Sequence, residues 1–255
     1  MIDYLIKQIT RYPVKGLGAE YLEYADMTPG RGIANDRRFA IAHADSKFDE
    51  LKPEWVPRGN FLVVARSPAL ASLECAYIDE GSTLVIDGRE KGLLRIPLNT
   101  FGSEEMLTVL FSSLCESPQP KPYKLVSIGK ATSLTDSPTE TVSIMNSASL
   151  IDFQNRLGVT LDRRRFRGNF WFNGVEAWEE NAWVGKEISI GSIRLKITET
   201  ICRCAAIEAN PATGRRDVQA LQSLKRHYNH TVFGVLAQIE VGGRISRDDT
   251  LVLPS

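Results

Sequence analysis

Glu187-Ile188-Ser189-Ile190-Gly191-Ser192-Ile193-Arg194-Leu195-Lys196-Ile197 decides the fold class. Ile188 and Ile190 alternate with polar residues, Gly191-Ser192 supplies a turn, and Ile193, Leu195 and Ile197 alternate again. A period of two on both sides of a glycine turn is the pattern of a half-buried β-hairpin. Upstream, Leu84-Val85-Ile86 runs into Asp87-Gly88, a second hairpin signal. Downstream, residues 232–241 and 251–253 read as closing strands around Gly242-Gly243.

Three helical patterns interrupt the strands. Ser103 is placed to cap the first, with Glu104 and Glu105 in its opening turn and Leu107, Leu110, Phe111 and Leu114 at helical spacing. The second is expected over residues 147–157, with Leu150, Phe153 and Leu157 on one face and Gly158 as its stop. The third is expected over about 216–228, with Val218, Leu221 and Leu224 on one stripe. Between the first two lies Ser117-Pro118-Gln119-Pro120-Lys121-Pro122. This proline run divides the chain into two mainly β units, residues 1–120 and 121–255, covered by a few helices.

The 255 residues carry 31 Lys+Arg and 31 Asp+Glu, so net charge is zero. That balance argues against a general nucleic-acid or anionic-membrane surface, and any basic function must be local. No stretch approaches the roughly 18 apolar residues of a membrane span, and residues 1–13 lack a signal-peptide pattern. Cys75 and Cys115 are isolated and only Cys202 and Cys204 cluster, so no disulfide framework is expected. The sequence reads as a reduced, cytoplasmic protein.

Four segments carry residues suited to chemistry. Tyr12-Pro13-Val14-Lys15-Gly16 is either a surface turn or a lysine presented to an anion beside open backbone. Asn35-Asp36-Arg37-Arg38-Phe39 is a turn entering an apolar strand, where alternation sends one arginine in and one out. Arg163-Arg164-Arg165-Phe166-Arg167-Gly168-Asn169-Phe170 runs arginines into an aromatic strand, a solvated charge run or a fork for phosphate or a heterocycle. Cys202-Arg203-Cys204 offers thiols to a soft metal, to sulfur chemistry, or merely to packing. With His227 and His230 it also allows a Cys2His2 zinc set, although this cysteine spacing is tighter than usual for zinc.

In this order and spacing, the four segments resemble the MOSC family, named after the C-terminal domain of molybdenum-cofactor sulfurase. The family includes the mitochondrial amidoxime-reducing component and bacterial proteins that detoxify N-hydroxylated bases. The YPVKG turn and the DRRF strand resemble its N-terminal β-barrel domain. The FRGN strand, the AWEENAWVGKEISIG stretch and the CRC…NPATG segment resemble the MOSC domain proper. The resemblance implies a mainly β fold, a MOSC-type β-barrel with an N-terminal β-barrel subdomain and a few short covering helices.

It also implies a molybdenum–molybdopterin cofactor, with Cys204 as catalytic residue and metal ligand. Lys15, Arg37, Ser137, Arg167, Asn169 and Arg203 match cofactor-contacting positions. The implied activity is reduction of a small N-oxygenated substrate, and the alternative is a non-catalytic cofactor or sulfur carrier. The cysteines are too few to hold an iron–sulfur cluster by four local thiolates. Electrons are therefore expected from a separate donor protein of ferredoxin or flavoprotein type. Pyridoxal phosphate is also associated with the family, but no Schiff-base lysine stands out. Three departures are evident: Asn210 for the usual aspartate, Gly168 for the proline of F-R-P-N, and Gly16 for a serine of the mitochondrial relatives. Residues 52–61 also differ from the T-A-R-Q stretch of those relatives.

Overall fold

The computed structural model describes residues 4–78, 82–88, 92–98, 104–113, 119–129 and 132–253. In chain order the first half holds β1 (Leu5–Arg11), β2 (Glu20–Leu22), β3 (Tyr24–Met27), β4 (Phe39–Ala42), β5 (Glu74–Ile78), β6 (Thr83–Asp87), β7 (Leu93–Pro97) and α1 (Glu104–Ser112). The second half holds β8 (Lys124–Ser127), β9 (Val142–Asn146), α2 (Ser147–Leu157), β10 (Phe170–Asn173), β11 (Glu187–Ile190) and β12 (Ile193–Cys202). It ends with α3 (Ala220–Tyr228), β13 (Val232–Val241), β14 (Gly243–Ser246) and β15 (Leu251–Val252).

The 187–197 hairpin forms as its alternation requires, with Ile190 opposite Ile193 across the Gly191-Ser192 turn. Its inward isoleucines and Leu195 are buried. It seeds a sheet ordered β15-β11-β12-β13-β9-β10-β1-β2. All neighbours in it run antiparallel except β9 and β10. A parallel pair needs a crossover, and α2 supplies it. The sheet curls back on itself at a seam. There Leu5 bridges Thr250, Leu251 N donates to Tyr4 O at 2.6 Å, and Asp248 N to Ile6 O at 2.7 Å. One core fills the inside of this sheet, from Ile6 and Ile9 to Val235 and Leu251.

The division at 120/121 is crossed in both directions. β1 lies between β10 and β2, and β3 pairs with β14. In return, β8 pairs with β4. A separate three-stranded sheet, β5-β6-β7, packs with α1 around Leu84, Ile86, Leu107 and Phe111. Ser103, Leu114, Cys115 and Ser117-Pro118 lie outside the described residues.

The second helix forms over the residues its periodicity marks. Asn146 caps it by accepting from Ala148 N at 2.9 Å, and Gly158 ends it at φ 71°. The third begins at Ala220, later than the pattern suggests. Residues 216 and 217 are taken by tertiary bonds, from Arg216 Nη2 to Ala65 O (2.6 Å) and from Asp217 N to Glu208 O (3.3 Å). Among the described residues, no helix is long and apolar enough to cross a membrane.

Glu180 fixes the start of α2 from outside the cavity. Its fully buried carboxyl accepts from Asn146 Nδ2 at 2.9 Å and from Ser149 Oγ at 2.8 Å. Burial pushes its pKa above the ordinary glutamate value, outweighing those hydrogen bonds. The folded state therefore favours the protonated acid. Glu180's contribution to stability is complete below the ordinary glutamate pKa and is lost as pH rises through its folded value. Glu180→Gln is expected to stabilise the protein at neutral pH, with the advantage shrinking on acidification. Urea unfolding on either side of that range checks it, and an advantage that grows on acidification contradicts the assignment.

Candidate functional site

A cavity of about 570 Å³ opens between the curled sheet and the first half of the chain. Lys15, Arg37, Ser137, Arg167, Asn169, Arg203 and Cys204 all line it. The four sequence segments thus converge on one space.

Lys15 follows a short parallel contact between Val14 and Phe39, where Lys15 N donates to Phe39 O at 2.7 Å. Its side chain is buried, and Nζ donates to Leu134 O (2.9 Å) and Asp136 Oδ1 (2.5 Å). Burial lowers its pKa, and Asp136 opposes that fall. Gly16 has φ 87°, and a Cβ there would come within 2.8 Å of Leu62 O. The departure from serine is therefore dictated by the backbone here.

Arg37 and Arg167 both adopt left-handed backbone, at φ 49° and 52°. Non-glycine residues hold that conformation only where the surroundings over-determine it. Here the two guanidiniums lie over the Tyr12 ring, at 4.8 and 4.4 Å. Arg37 pairs with Asp36 and donates to Arg167 O at 3.1 Å. Arg167 Nη1 donates to Leu17 O at 2.6 Å, while its Nη2 is buried and finds no partner. Burial, reinforced by Arg37, pushes Arg167 down to about 10.

Asn169 has no hydrogen-bonding capacity left over. Its Oδ1 accepts from Ser143 N (3.0 Å) and Ser143 Oγ (2.8 Å), and its Nδ2 donates to Thr10 O (3.1 Å) and Asp36 Oδ2 (3.3 Å). It ties β1, β9 and the Asp36 turn together at the cavity floor. Ser137 is half-buried, and its Oγ accepts from Thr139 N at 3.2 Å.

Arg203 leaves the end of β12 inward, alongside the stacked rings of Phe166 and Phe233. It donates to both residues' carbonyls and lies 3.2 Å from Met145 Sδ. Burial pushes it down to about 9, against the pull of Cys204. Its two flanking thiols differ. Cys202 is exposed, whereas Cys204 is half-buried at the head of the Ala205–Glu208 turn. Met145 also accounts for Gly168, since a Cβ there would overlap Met145 Cγ. Asn210 does not line the cavity. Its Oδ1 accepts from Ala212 N at 2.8 Å, a turn closure that aspartate also makes, but its Nδ2 donates to Asp217 Oδ2 at 2.6 Å, which aspartate cannot do.

Four contributors went unassigned in the sequence: Tyr12, Asp36, Asp136 and Arg58. The first three adjoin quoted motif residues, and their own roles show only in three dimensions. Arg58 comes from the divergent 52–61 stretch. Its Nη1 donates to Asp136 Oδ2 at 3.1 Å, and it lines the same cavity as Cys204. Burial works against the Asp136 anion, but Lys15 and Arg58 hold its pKa below the usual carboxylate range. Among the described residues no group of three or more His, Cys, Asp and Glu converges as a metal site. His230 instead stacks on Tyr228 and meets Trp178 edge-on, so the zinc set does not assemble.

Two family models match the chain, the MOSC N-terminal beta barrel domain over residues 4–115 and the MOSC domain over 131–252. The chain belongs to the MOSC family. Among MOSC relatives, the molybdenum cofactor sulfurase of Bos taurus is 31% identical over 36% of this chain and 12% of its own length. The mitochondrial amidoxime reducing component 2 of Homo sapiens is 35% identical over 33% of this chain and 25% of its own length. The chain thus matches well under two thirds of either relative. A solved structure, the YuaD protein from Bacillus subtilis, covers 100% of this chain and 99% of that one, at 10% identity and a TM-score of 0.43. The mainly β fold with few helices accords with the MOSC family.

Proposed function

We propose that this MOSC chain is a molybdenum-cofactor-dependent oxidoreductase that reduces small N-hydroxylated compounds, with Cys204 as the protein ligand to the metal. The observation that carries this reading is the charge of the cavity. Lys15, Arg37, Arg58, Arg165, Arg167 and Arg203 line it against only Asp136 and Glu199. Cationic groups in a confined space favour a polyanionic ligand, and arginine forks suit phosphate. Two relatives are named for the molybdenum cofactor and for amidoxime reduction.

The residues divide the work. Lys15, Arg37 and Arg167 would hold the phosphate and heterocycle, with Ser137 as a further contact, and Asn169 would keep their supporting strands in register. Arg203, locked by carbonyls, fixes the backbone that presents Cys204. Asp136 occupies Lys15 and Arg58, so an incoming anion must exchange with this carboxylate. When bound, the cofactor supplies two-electron chemistry at a metal for which a thiolate is a suitable soft ligand. A separate protein of ferredoxin or flavoprotein type would deliver the electrons.

Protein purified from a host that makes molybdopterin is expected to carry stoichiometric molybdenum and pterin phosphate. Protein from that host with neither overturns the proposal. One observation favours a second reading, a sulfur or cofactor carrier: Cys202 lines the same cavity as Cys204. A persulfide mass adduct on either thiol, without reductase turnover, would select it.

A further inference from the structure

We propose that a second, smaller niche behind Arg167 binds a single inorganic oxyanion, phosphate or sulfate. This site is distinct from the main cavity and does not rest on the reading of that cavity.

The niche grows out of the basic run. Asp162 caps the short turn Arg163–Phe166 by accepting from Arg164 N at 2.8 Å, and Arg167 leaves that turn in left-handed backbone. This sharp path brings Arg164, Arg165 and Arg167 to the wall of one space of about 100 Å³. Small residues, Gly18, Ala19, Ala71, Ala206 and Ala209, leave the room opposite. Arg165 and Arg167 also line the main cavity, so they form part of the partition between the two spaces. Tyr21, exposed, and Arg164, half-buried, stand at the outer end.

Two buried donors on this partition have no partner, Arg165 Nε and Arg167 Nη2. Arg165 spends its other nitrogens on Asp217 at 2.8 Å and on Glu208 O at 3.0 Å. Of the three guanidiniums that line the niche, Arg164 is paired with Asp162 and Arg165 with Asp217, which leaves the charge of Arg167. A space of this size holds several waters, or one tetrahedral oxyanion. Water would satisfy the orphan donors but leave the charge of Arg167 uncompensated. An oxyanion does both, with charge-assisted hydrogen bonds. Chloride matches the charge but offers no array of acceptor oxygens.

Thermal unfolding of the full chain tests this, with inorganic phosphate or sulfate titrated against sodium chloride at constant ionic strength. A ligand that binds only the folded state raises Tm with its concentration. Both oxyanions are expected to raise Tm saturably beyond chloride. Arg164→Gln is expected to weaken that response at least tenfold. Ala71→Leu, which fills the niche, is expected to abolish it, and Tm in chloride verifies that each variant folds. Lys15→Met, confined to the main cavity, is expected to leave the affinity within twofold. An absent response in wild type overturns the proposal, as does a response surviving both niche variants. A response lost in Lys15→Met, or in cofactor-loaded protein alone, places the anion in the main cavity and also overturns it. Molybdenum content of Ala71→Leu is read in parallel, so failure of the niche and failure of the cofactor assignment are told apart.

Discussion

Cys204→Ser is expected to purify as a folded protein with molybdenum at background, while Cys202→Ser retains stoichiometric metal. The two thiols are one residue apart in sequence but not equivalent in space. Arg203 turns inward beside the stacked Phe166 and Phe233 and is anchored by their carbonyls. Cys202 remains exposed at the end of β12, and Cys204 sits half-buried at the head of the next turn, in a cavity that Arg58 also lines. A serine hydroxyl is a harder donor that stays protonated at neutral pH, so it replaces a thiolate poorly toward a soft metal. Cys204 makes no side-chain cap bond and belongs to none of the buried core clusters. Its replacement should therefore leave Tm near wild type. Metal analysis with circular dichroism reads both halves of the prediction. Full retention of molybdenum in Cys204→Ser would sink the ligand assignment.

Asn169→Ala is expected to cost about 3–4 kcal/mol of stability even without cofactor, because it strands several buried partners at once. Thr10 O and Ser143 N each lose a direct bond, and Asp36 loses a neutralising donor. In a chain of this size that corresponds to a fall in Tm of roughly 10 °C. Asn169→Asp should be at least as damaging, since it sets a carboxylate against Asp36 while removing the donor to Thr10 O. Urea unfolding of cofactor-free protein is the measurement. Loss of cofactor with unchanged unfolding would show that Asn169 serves the ligand alone, contrary to its four internal bonds.

Local pattern made the β-hairpin and α2 legible, because alternation, capping and a stop are all written within a dozen residues. The late start of α3 was not, since its cause lies in partners at Ala65 and Glu208. The same limit hid the neighbours of β1, whose pairing with β10 joins Leu5 to Asn173. At the site, Lys15, Arg37, Arg167 and Cys204 stood out because each belongs to a motif that carries the family resemblance. Arg58 did not, because a single exposed arginine in a divergent loop gains meaning only from Asp136 and Cys204 across the cavity. The arginine run was ambiguous for a related reason. Arg163 goes to Ser147, Arg164 to Asp162 and Arg165 to Asp217, and which charge stays uncompensated depends on these ties.

The seam of the large sheet has a kinetic consequence. β1 precedes most of its partners by a long stretch of chain, since its neighbours include Phe170–Asn173 and the Thr250 bridge. Contacts this distant must pay loop closure before they return any stabilisation, so folding should be slow for the protein's size. During translation one edge of β1 can pair with β2 early, but the other has no native partner until Phe170–Asn173 has left the ribosome. A holdase-type chaperone that shields Ile6 and Ile9 in that interval would raise the yield of folded protein without altering its final stability.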